Sequence, residues 1–152
     1  MKKIKLVKAE HKDVRIMYEW SNDPTTRKNS FSMKPIPWDE HLEWMKKKLV
    51  DSNCLFFIGI DEGGNPIGSI RIDKEEGKGV ISFCVAPDRR HQGFGEAMLA
   101  EIDNIIDPEL DIDELIGKVK PDNIASICCF VNNGYIEKER DERKIVYAKK
   151  CP

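Results

Sequence analysis

The sequence lacks the features that would set it apart from ordinary globular proteins. Its five cysteines are an odd number without a C-x-x-C pair, which argues against a disulfide framework and against structural zinc. Its three histidines lack the spacing of metal ligands, so we expect no metal site. No run of about 18 apolar residues occurs, and no apolar run of signal-peptide length follows the basic start. These absences predict a reduced, cytoplasmic protein without a membrane segment.

An excess of charge of one sign is also lacking. The chain has 25 lysine and arginine residues against 27 aspartate and glutamate residues, a formal net charge of −2. We therefore expect no binding to nucleic acid or to an acidic membrane surface. Apolar residues make up 40% of the chain and charged residues 34%, which is typical of soluble globular proteins. With 152 residues, no repeat and no linker-like stretch, the sequence predicts a single domain over residues 1–152.

Hydrophobic periodicity predicts an α/β fold with a mixed sheet and helices on both faces. Alternation of apolar and polar residues indicates strands at about 2–8, 54–60, 66–74, 80–85, 112–119, 135–140 and 144–149. Helical spacing indicates helices at about 11–22, after Pro37, at 93–106 and at 122–132, while residues 25–37 are expected to be irregular. In the last helix we expect the core to be contacted by Ile124, Ile127, Cys128 and Val131.

Two glycines stand where the helix at 93–106 begins. Gly93 and Gly95 would let the backbone come close to a ligand, and the first amides of a helix have no intrahelical acceptor and lie at its positive end. This combination predicts a pyrophosphate site, to which Arg89 and Arg90 could add charge-assisted hydrogen bonds. A simple turn is the alternative, because a Rossmann fingerprint would need a third glycine where Met98 stands.

Two motifs resemble those of one enzyme family. The run Arg90-His91-Gln92-Gly93-Phe94-Gly95 resembles the R-x-x-G-x-G acyl-CoA loop of the GCN5-related N-acetyltransferase (GNAT) family, and residues 123–135 resemble the second signature of that family. The resemblance implies the GNAT fold, a mostly antiparallel sheet of about seven strands, splayed in the middle, with about four helices on its two faces. It also implies acetyl-CoA as cosubstrate and a primary amine as acceptor, in a monomer or a homodimer.

The resemblance further implies which residues hold acetyl-CoA. The backbone of Phe83, Cys84 and Val85 would contact the pantetheine arm and the thioester, and the amides of this strand would stabilise the oxyanion, which makes Phe83 and Cys84 candidate catalytic residues. The pyrophosphate would be held by Arg90, Gln92, Gly93, Phe94, Gly95 and Glu96. The pantetheine end and the thioester sulfur would be contacted by Asn123, Ser126 and Phe130, and Phe130 lacks the hydroxyl of the tyrosine acid found in many family members.

Acetyl transfer to an amine requires a proton acceptor, because an alkyl ammonium with a pKa near ~10 is almost wholly protonated at pH 7. The strand at 80–85 offers no glutamate, so His41 is the candidate base, and a hydrogen-bonded structural histidine is the alternative. The adjacent Cys128 and Cys129 are expected to pack in the core rather than to act as nucleophiles. We therefore expect direct transfer without an acyl-enzyme.

The amino-terminal half carries the candidate acceptor site. A polar ligand can be bound by aromatic rings, an amide, a hydroxyl and guanidinium groups, and Arg27 could bind a phosphate. These groups are supplied by Trp20, Asn22, Arg27, Ser30, Trp44 and Arg71. The alternative is that Trp20 lies in the core and the rest forms a solvated loop.

Residues 20–31, 41–44 and 67–73 resemble acetyltransferases of nucleotide-linked amino-sugar pathways, such as the pseudaminic acid pathway, which implies a nucleotide-linked amino sugar as acceptor. Three alternatives stay open. The chain could acetylate protein N-termini or side chains, as ribosomal-protein acetyltransferases do, or other small amines, or it could be a non-catalytic acyl-CoA-binding module.

Overall fold

One seven-stranded sheet forms the centre of the protein in the computed structural model, which describes residues 2–152. The strands are β1 (Ile4–Lys8), β2 (Cys54–Asp61), β3 (Pro66–Glu75), β4 (Lys78–Val85), β5 (Glu114–Val119), β6 (Ile136–Arg140) and β7 (Ile145–Lys150). They lie in the order β1-β2-β3-β4-β5-β7-β6, in which β4 and β5 pair in parallel and the other neighbours pair antiparallel. The predicted mixed, mostly antiparallel sheet is confirmed.

The described part of the chain has five α-helices: α1 (Val14–Ser21), α2 (Pro24–Lys28), α3 (Trp38–Val50), α4 (Phe94–Ile105) and α5 (Ile124–Asn132). Short 3₁₀ turns lie at His11–Asp13, Pro87–Arg89 and Pro108–Leu110. Within residues 2–152, none of these helices is long and apolar enough to cross a membrane.

Helix α2 contradicts the prediction that residues 25–37 are irregular throughout. Asp23 is its N-cap and accepts hydrogen bonds from the amides of Thr25 and Thr26, and Pro24 occupies the first helical position. Proline suits that position because its φ is already helical and its missing N–H would have no partner there. The pair Asp23-Pro24 therefore begins a helix as well as ending one.

Two cores lie on opposite faces of the sheet because strand side chains alternate. On one face, Phe56 and Ile58 of β2 pack with α1 and α3 through Met17, Trp20 and Met45. On the other face, α4 packs on the buried side chains of β3, β4 and β5, which include Ile70, Ile72, Ile81 and Leu115.

Helix α5 turns a different face to the core than its spacing suggested. Ile124 is 62% exposed, Val131 is 51% exposed and Cys128 is also exposed, whereas Phe130 is 1% exposed. The ring of Phe130 packs against those of Tyr135 and Tyr147, with centroids 5.0 and 5.9 Å away. The predicted stripe is therefore wrong at Ile124, Cys128 and Val131, whereas Ile127 packs half-buried against the core as expected. The large aromatic side chain of Phe130 fills the core in place of the smaller apolar ones.

The sheet opens between β4 and β5, as expected. The two strands pair from Lys78 opposite Glu114 to Ile81 opposite Gly117, while the far edge of β4 stays paired with β3 as far as Val85. Phe130 lies at the point of divergence: its ring occupies the space into which a side chain at Gly117 would project, and its centroid is 5.7 Å from that of Phe83 on β4. The backbone of residues 82–85 is thus left unpaired on the side that faces the opening.

Candidate active site

A cavity of about 370 Å³ lies beside the unpaired end of β4. Its walls come from α2 and the residues after it, from β4, from the loop and first turn of α4, and from α5. The main lining side chains are Thr25, Thr26, Asn29, Ser30, Phe83, Cys84, Val85, Arg89, Arg90, His91, Phe94, Glu96, Asn123, Ser126, Cys128, Cys129 and Asn132. The structure thereby brings together most of the residues that the two motifs placed at an acyl-CoA site.

The first turn of α4 presents backbone donors to this cavity. Gly93 is the N-cap with φ at +87°, and its carbonyl accepts from the amide of Ala97, so the amides of residues 94–96 have no intrahelical acceptor. A Cβ added at Gly93 would meet only a side-chain carbon of Lys2 at 3.7 Å. The helix therefore begins with unobstructed N–H groups at its positive end, which suits a pyrophosphate.

Gly95 differs from Gly93 in that other side chains fill the space beside it. A Cβ at Gly95 would lie 3.2 Å from the sulfur of Cys129 and from the ring of Phe83, and 3.3 Å from Val85. Its missing side chain thus lets α4 begin close against β4 and α5 rather than giving a ligand access to the backbone. We had expected both glycines to admit a ligand.

The two arginines of the loop bind other parts of the protein. Nη1 of Arg89 donates to Asp61 at 2.9 Å, and Nη2 of Arg90 donates to Asp23 at 2.6 Å and to the Thr26 hydroxyl at 3.0 Å. Burial opposes ionisation of Asp23, but its hydrogen bonds with Arg90 and with the α2 amides outweigh burial and hold its pKa below the usual value. Arg90, predicted as a pyrophosphate contact, therefore lines the cavity with its guanidinium directed to α2.

Gln92, predicted as a pyrophosphate contact, is exposed and does not line the cavity. Its side-chain amide donates to the carbonyl of Asp88 at 3.3 Å, a bond within the loop. His91, which had no predicted role in binding, lines the cavity with φ at +62°. The residues on either side of Gln92, His91 and Gly93, thus have the left-handed backbone conformation that shapes the loop.

At the opposite wall, Asn123 and Ser126 are positioned by each other. Asn123 is the N-cap of α5, accepts from the Ser126 amide at 3.3 Å and donates to the Ser126 hydroxyl at 3.1 Å. Both residues, for which contact with the pantetheine end is predicted, line the cavity.

Two of the cavity thiols, those of Cys84 and Cys129, are poor nucleophiles at neutral pH. Burial raises the pKa of Cys84, and burial raises that of Cys129 to about 11. Cys84 contacts the Thr26 hydroxyl across 3.7 Å on the α2 side of β4. These pKa shifts favour direct acetyl transfer over an acyl-enzyme, because the thiolate is the nucleophilic form. Cys128 is exposed in the cavity wall, so the expectation that the cysteine pair packs in the core is wrong for this residue.

Besides Gln92, two more of the predicted catalytic and cosubstrate residues do not line the cavity. Phe130 is buried in the core behind Phe83, so it does not stand in the cavity where a thioester sulfur would lie. His41 is 2% exposed, and its Nε2–H donates to the carbonyl of Val14 at 3.0 Å. Burial lowers the pKa of His41, and aromatic rings surround it, so this histidine is structural.

Three of the predicted acceptor residues hold the amino-terminal segment together. Trp20 is 6% exposed in the core. The side-chain amide of Asn22 donates to the carbonyls of Tyr18 and Ile36 and accepts from the Ile36 amide. Arg27 donates from Nε and Nη1 to the carbonyls of residues 21, 32 and 34, at 2.7 to 3.2 Å, and from Nη2 to the Ser30 hydroxyl. Arg27 thus folds the chain after α2 and has few donors left for a phosphate.

Ser30 lines the cavity, whereas Trp44 and Arg71 form a separate cluster. The guanidinium of Arg71 lies 4.9 Å from the Trp44 ring, pairs with Asp73 at 2.7 Å and donates to the Ser82 hydroxyl at 3.3 Å.

In residues 2–152, no three histidine, cysteine or acidic side chains are grouped so that they could hold a metal ion.

Sequence reasoning missed Thr25, Thr26 and Asn29, which line the cavity with Ser30. The signal that could have found them is Asp23-Pro24, an N-cap followed by proline at the first helical position.

Comparisons with known proteins give a family and a set of similar folds. Residues 3–136 match the family described as the acetyltransferase (GNAT) domain. The spermidine N-acetyltransferase of Vibrio cholerae, solved with CoA and spermine, has a TM-score of 0.86 at 17% identity, with 97% of this chain and 95% of that chain covered. A domain from Methanocaldococcus jannaschii has a TM-score of 0.85 at 17% identity, with 99% of both chains covered.

An aminoglycoside acetyltransferase in complex with coenzyme A has a TM-score of 0.81 at 14% identity, with 97% of this chain and 95% of that chain covered. At these identities the similarity establishes the fold. No curated protein matches the sequence.

Proposed function

The chain belongs to the GNAT acetyltransferase family, and from that premise we propose that it acetylates a polar amine that carries little other positive charge, with nucleotide-linked amino sugars as the acceptor class. It is an acetyl-CoA-dependent acetyltransferase, and acetyl-CoA supplies the acyl thioester. The proposal therefore concerns the acceptor and the residues that act on it.

The cavity fits acetyl-CoA on two observations. The free amides of residues 94–96 stand at the positive end of α4, beyond a glycine whose Cβ position is open. The unpaired backbone of residues 82–85 offers peptide groups to the amides of a pantetheine arm. We propose that the α4 amides hold the pyrophosphate, that β4 aligns the pantetheine, and that Asn123 and Ser126 contact its far wall.

Transfer forms the bond between the amine nitrogen and the acetyl carbon and breaks the bond between that carbon and sulfur. The amide of Ala86 donates to the carbonyl of Ile67 on β3, and amide direction alternates along β4, so the amides of Phe83 and Val85 face the opening while that of Cys84 faces β3. The N–H groups of Phe83 and Val85 are the proposed donors to the oxyanion.

The end of the cavity lined by α2 and the two residues after it, here called the α2 end, presents hydroxyl and amide side chains. The histidine and the carboxylate of the described lining, His91 and Glu96, lie instead in the loop before α4 and in the first turn of α4. We therefore propose that the acceptor ammonium loses one proton to water before attack. After attack, the nitrogen of the tetrahedral intermediate loses a second proton, which passes through water to the leaving thiolate.

The acceptor proposal rests on the described side chains at the α2 end, which offer no free carboxylate to a cationic acceptor. Its side chains are Thr25, Thr26, Asn29 and Ser30, and Asp23 behind them is paired with Arg90. A polyamine or an aminoglycoside brings several ammonium groups, and each would lose hydration there without gaining a carboxylate partner.

Positive charge near α2 points the same way. Nζ of Lys120 donates to the backbone carbonyl of Lys28 at 2.8 Å, which places the Lys120 ammonium at the end of α2. A cationic acceptor would be repelled there, whereas the diphosphate of a nucleotide-linked sugar would be attracted. This observation supports the amino-sugar class over the polyamine class.

The test is thiol release from acetyl-CoA with a panel of amines at equal concentration. The panel contains a nucleotide-linked 4-amino sugar, spermidine, an aminoglycoside and a peptide with a free N-terminus. We expect the highest kcat/KM with the amino-sugar nucleotide. A higher kcat/KM with spermidine or the aminoglycoside would refute the charge argument, and a preference for the peptide would support protein acetylation.

A further inference from the structure

A hydrogen-bonded bridge joins the loop before α4 to the acceptor side of the cavity. Nη2 of Arg90 donates at 2.6 Å to the Asp23 carboxylate and at 3.0 Å to the Thr26 hydroxyl, and the side chains of this ion pair are 23% and 18% exposed. Asp23 in turn caps α2 through the amides of Thr25 and Thr26. A single oxygen, Oδ2 of Asp23, thus receives both the helix cap and the guanidinium.

We infer that Arg90 is a positioning residue for the acceptor: it holds α2 in place from the loop that binds the cosubstrate. The family resemblance assigned Arg90 to the pyrophosphate, but its shortest contacts are with α2. This inference relies on the proposed function only in taking α2 as the acceptor wall.

The rest of the geometry supports this role. Thr26 contacts both Arg90 and the thiol of Cys84, so the bridge also fixes α2 against the unpaired end of β4. The neighbouring Arg89 makes the corresponding contact in the opposite direction, to Asp61 at the end of β2. Two consecutive arginines thus fasten the loop to two elements, and the open amides at the start of α4 are left to bind phosphate.

Holding α2 matters because α2 is short. Its five residues cannot form a stable helix alone, and its position depends on the cap, the bridge and the bonds made by Arg27. Loss of the bridge should therefore displace Thr25 and Thr26, which line the acceptor end, while the amides of α4 stay in place.

The test compares Arg90→Ala with Asp23→Asn, because asparagine still caps a helix but removes the charge from the bridge. We expect each variant to raise the hydrogen-exchange rate of the amides of residues 25–30 about tenfold and to raise KM for a nucleotide-linked amino sugar about tenfold. The dissociation constant of coenzyme A, measured by calorimetry, should change less than about threefold. The double variant should be no worse than Arg90→Ala, because both changes remove one interaction.

Two further variants complete the design. Arg90→Lys keeps a donor to Asp23, so its KM should lie between those of the unaltered protein and Arg90→Ala. Arg140→Ala breaks an ion pair with Glu137 on the distant strand β6 and should leave amide exchange at residues 25–30 unchanged. The inference is overturned if Arg90→Ala weakens coenzyme A binding tenfold or more while Asp23→Asn leaves α2 exchange unchanged. If no amine is turned over, the acceptor proposal fails by itself, and exchange and calorimetry still decide the role of Arg90.

Discussion

Replacing Gly93 by alanine tests whether the start of α4 binds coenzyme A. Gly93 has φ at +87°, where a side chain costs about 1–2 kcal/mol, so the variant should be destabilised by that amount. The new methyl group causes no packing clash, since its nearest neighbour would be a Lys2 carbon at 3.7 Å, but it enters the open space beside the free amides. Loss of one charge-assisted hydrogen bond to phosphate costs about 1.5–3 kcal/mol, which corresponds to roughly a 10- to 150-fold higher Kd.

The matched control is Gly64→Ala in the turn between β2 and β3. Gly64 has φ at +83° and nothing within 4 Å of its Cβ position, so the backbone strain is the same while the site lies outside the cavity lining. Thermal unfolding should show similar losses for both variants, and titration calorimetry with coenzyme A should show the increase in Kd only for Gly93→Ala. Equal affinities in the two variants would refute the assignment of the pyrophosphate to these amides.

Three further outcomes are expected. Because the pKa of His41 lies below its ordinary 6.5, the unfolded chain binds more protons than the folded chain just below pH 6.5, so stability should decrease as the pH is lowered through that range. Urea unfolding from pH 5 to 8 should show this pH dependence in the unaltered protein and its loss in His41→Gln. If His41→Gln instead removed the acidic limb of the pH–rate profile, a purely structural role would be contradicted. Phe130→Tyr should lower the free energy of unfolding by roughly 1–3 kcal/mol in denaturant titrations, because the added hydroxyl would be forced against Gly117. A higher kcat in this variant would instead mean that the hydroxyl reaches the thioester. Asn29→Asp, which adds a carboxylate to the α2 end, should raise kcat/KM for spermidine roughly tenfold in the thiol-release assay, and no change would place the acceptor elsewhere.

The sheet and four of the helices could be predicted because their apolar periodicity spans whole elements. Helix α2 could not be found this way, since five residues are too few to show a period and its cap carries the information. The inward face of α5 was misassigned for another reason. In a helix that is apolar on several sides, spacing defines more than one stripe, and the choice of Phe130 over Ile124 and Val131 is made by the aromatic pocket formed by Tyr135 and Tyr147.

The cosubstrate half of the site was readable because it is built from backbone. A glycine with positive φ and the amides of a helix start are local features that a short motif specifies completely, so the positions around Gly93 follow from the sequence. Gly95 shows the limit of this reasoning, because whether a glycine admits a ligand or a neighbouring helix depends on what packs above it, here Cys129 and Phe83.

The acceptor half was misjudged because long polar side chains in an irregular segment were read as ligand contacts. An irregular segment leaves many carbonyls without partners in a helix or sheet, and a long donor satisfies several of them, as Arg27 does here with the carbonyls of residues 21, 32 and 34. The side chains left to face the cavity are then the short ones, such as Thr25 and Asn29. For this chain, acceptor specificity should therefore respond most to substitutions of these short side chains, and substitutions of the long donors should alter the shape of the segment instead.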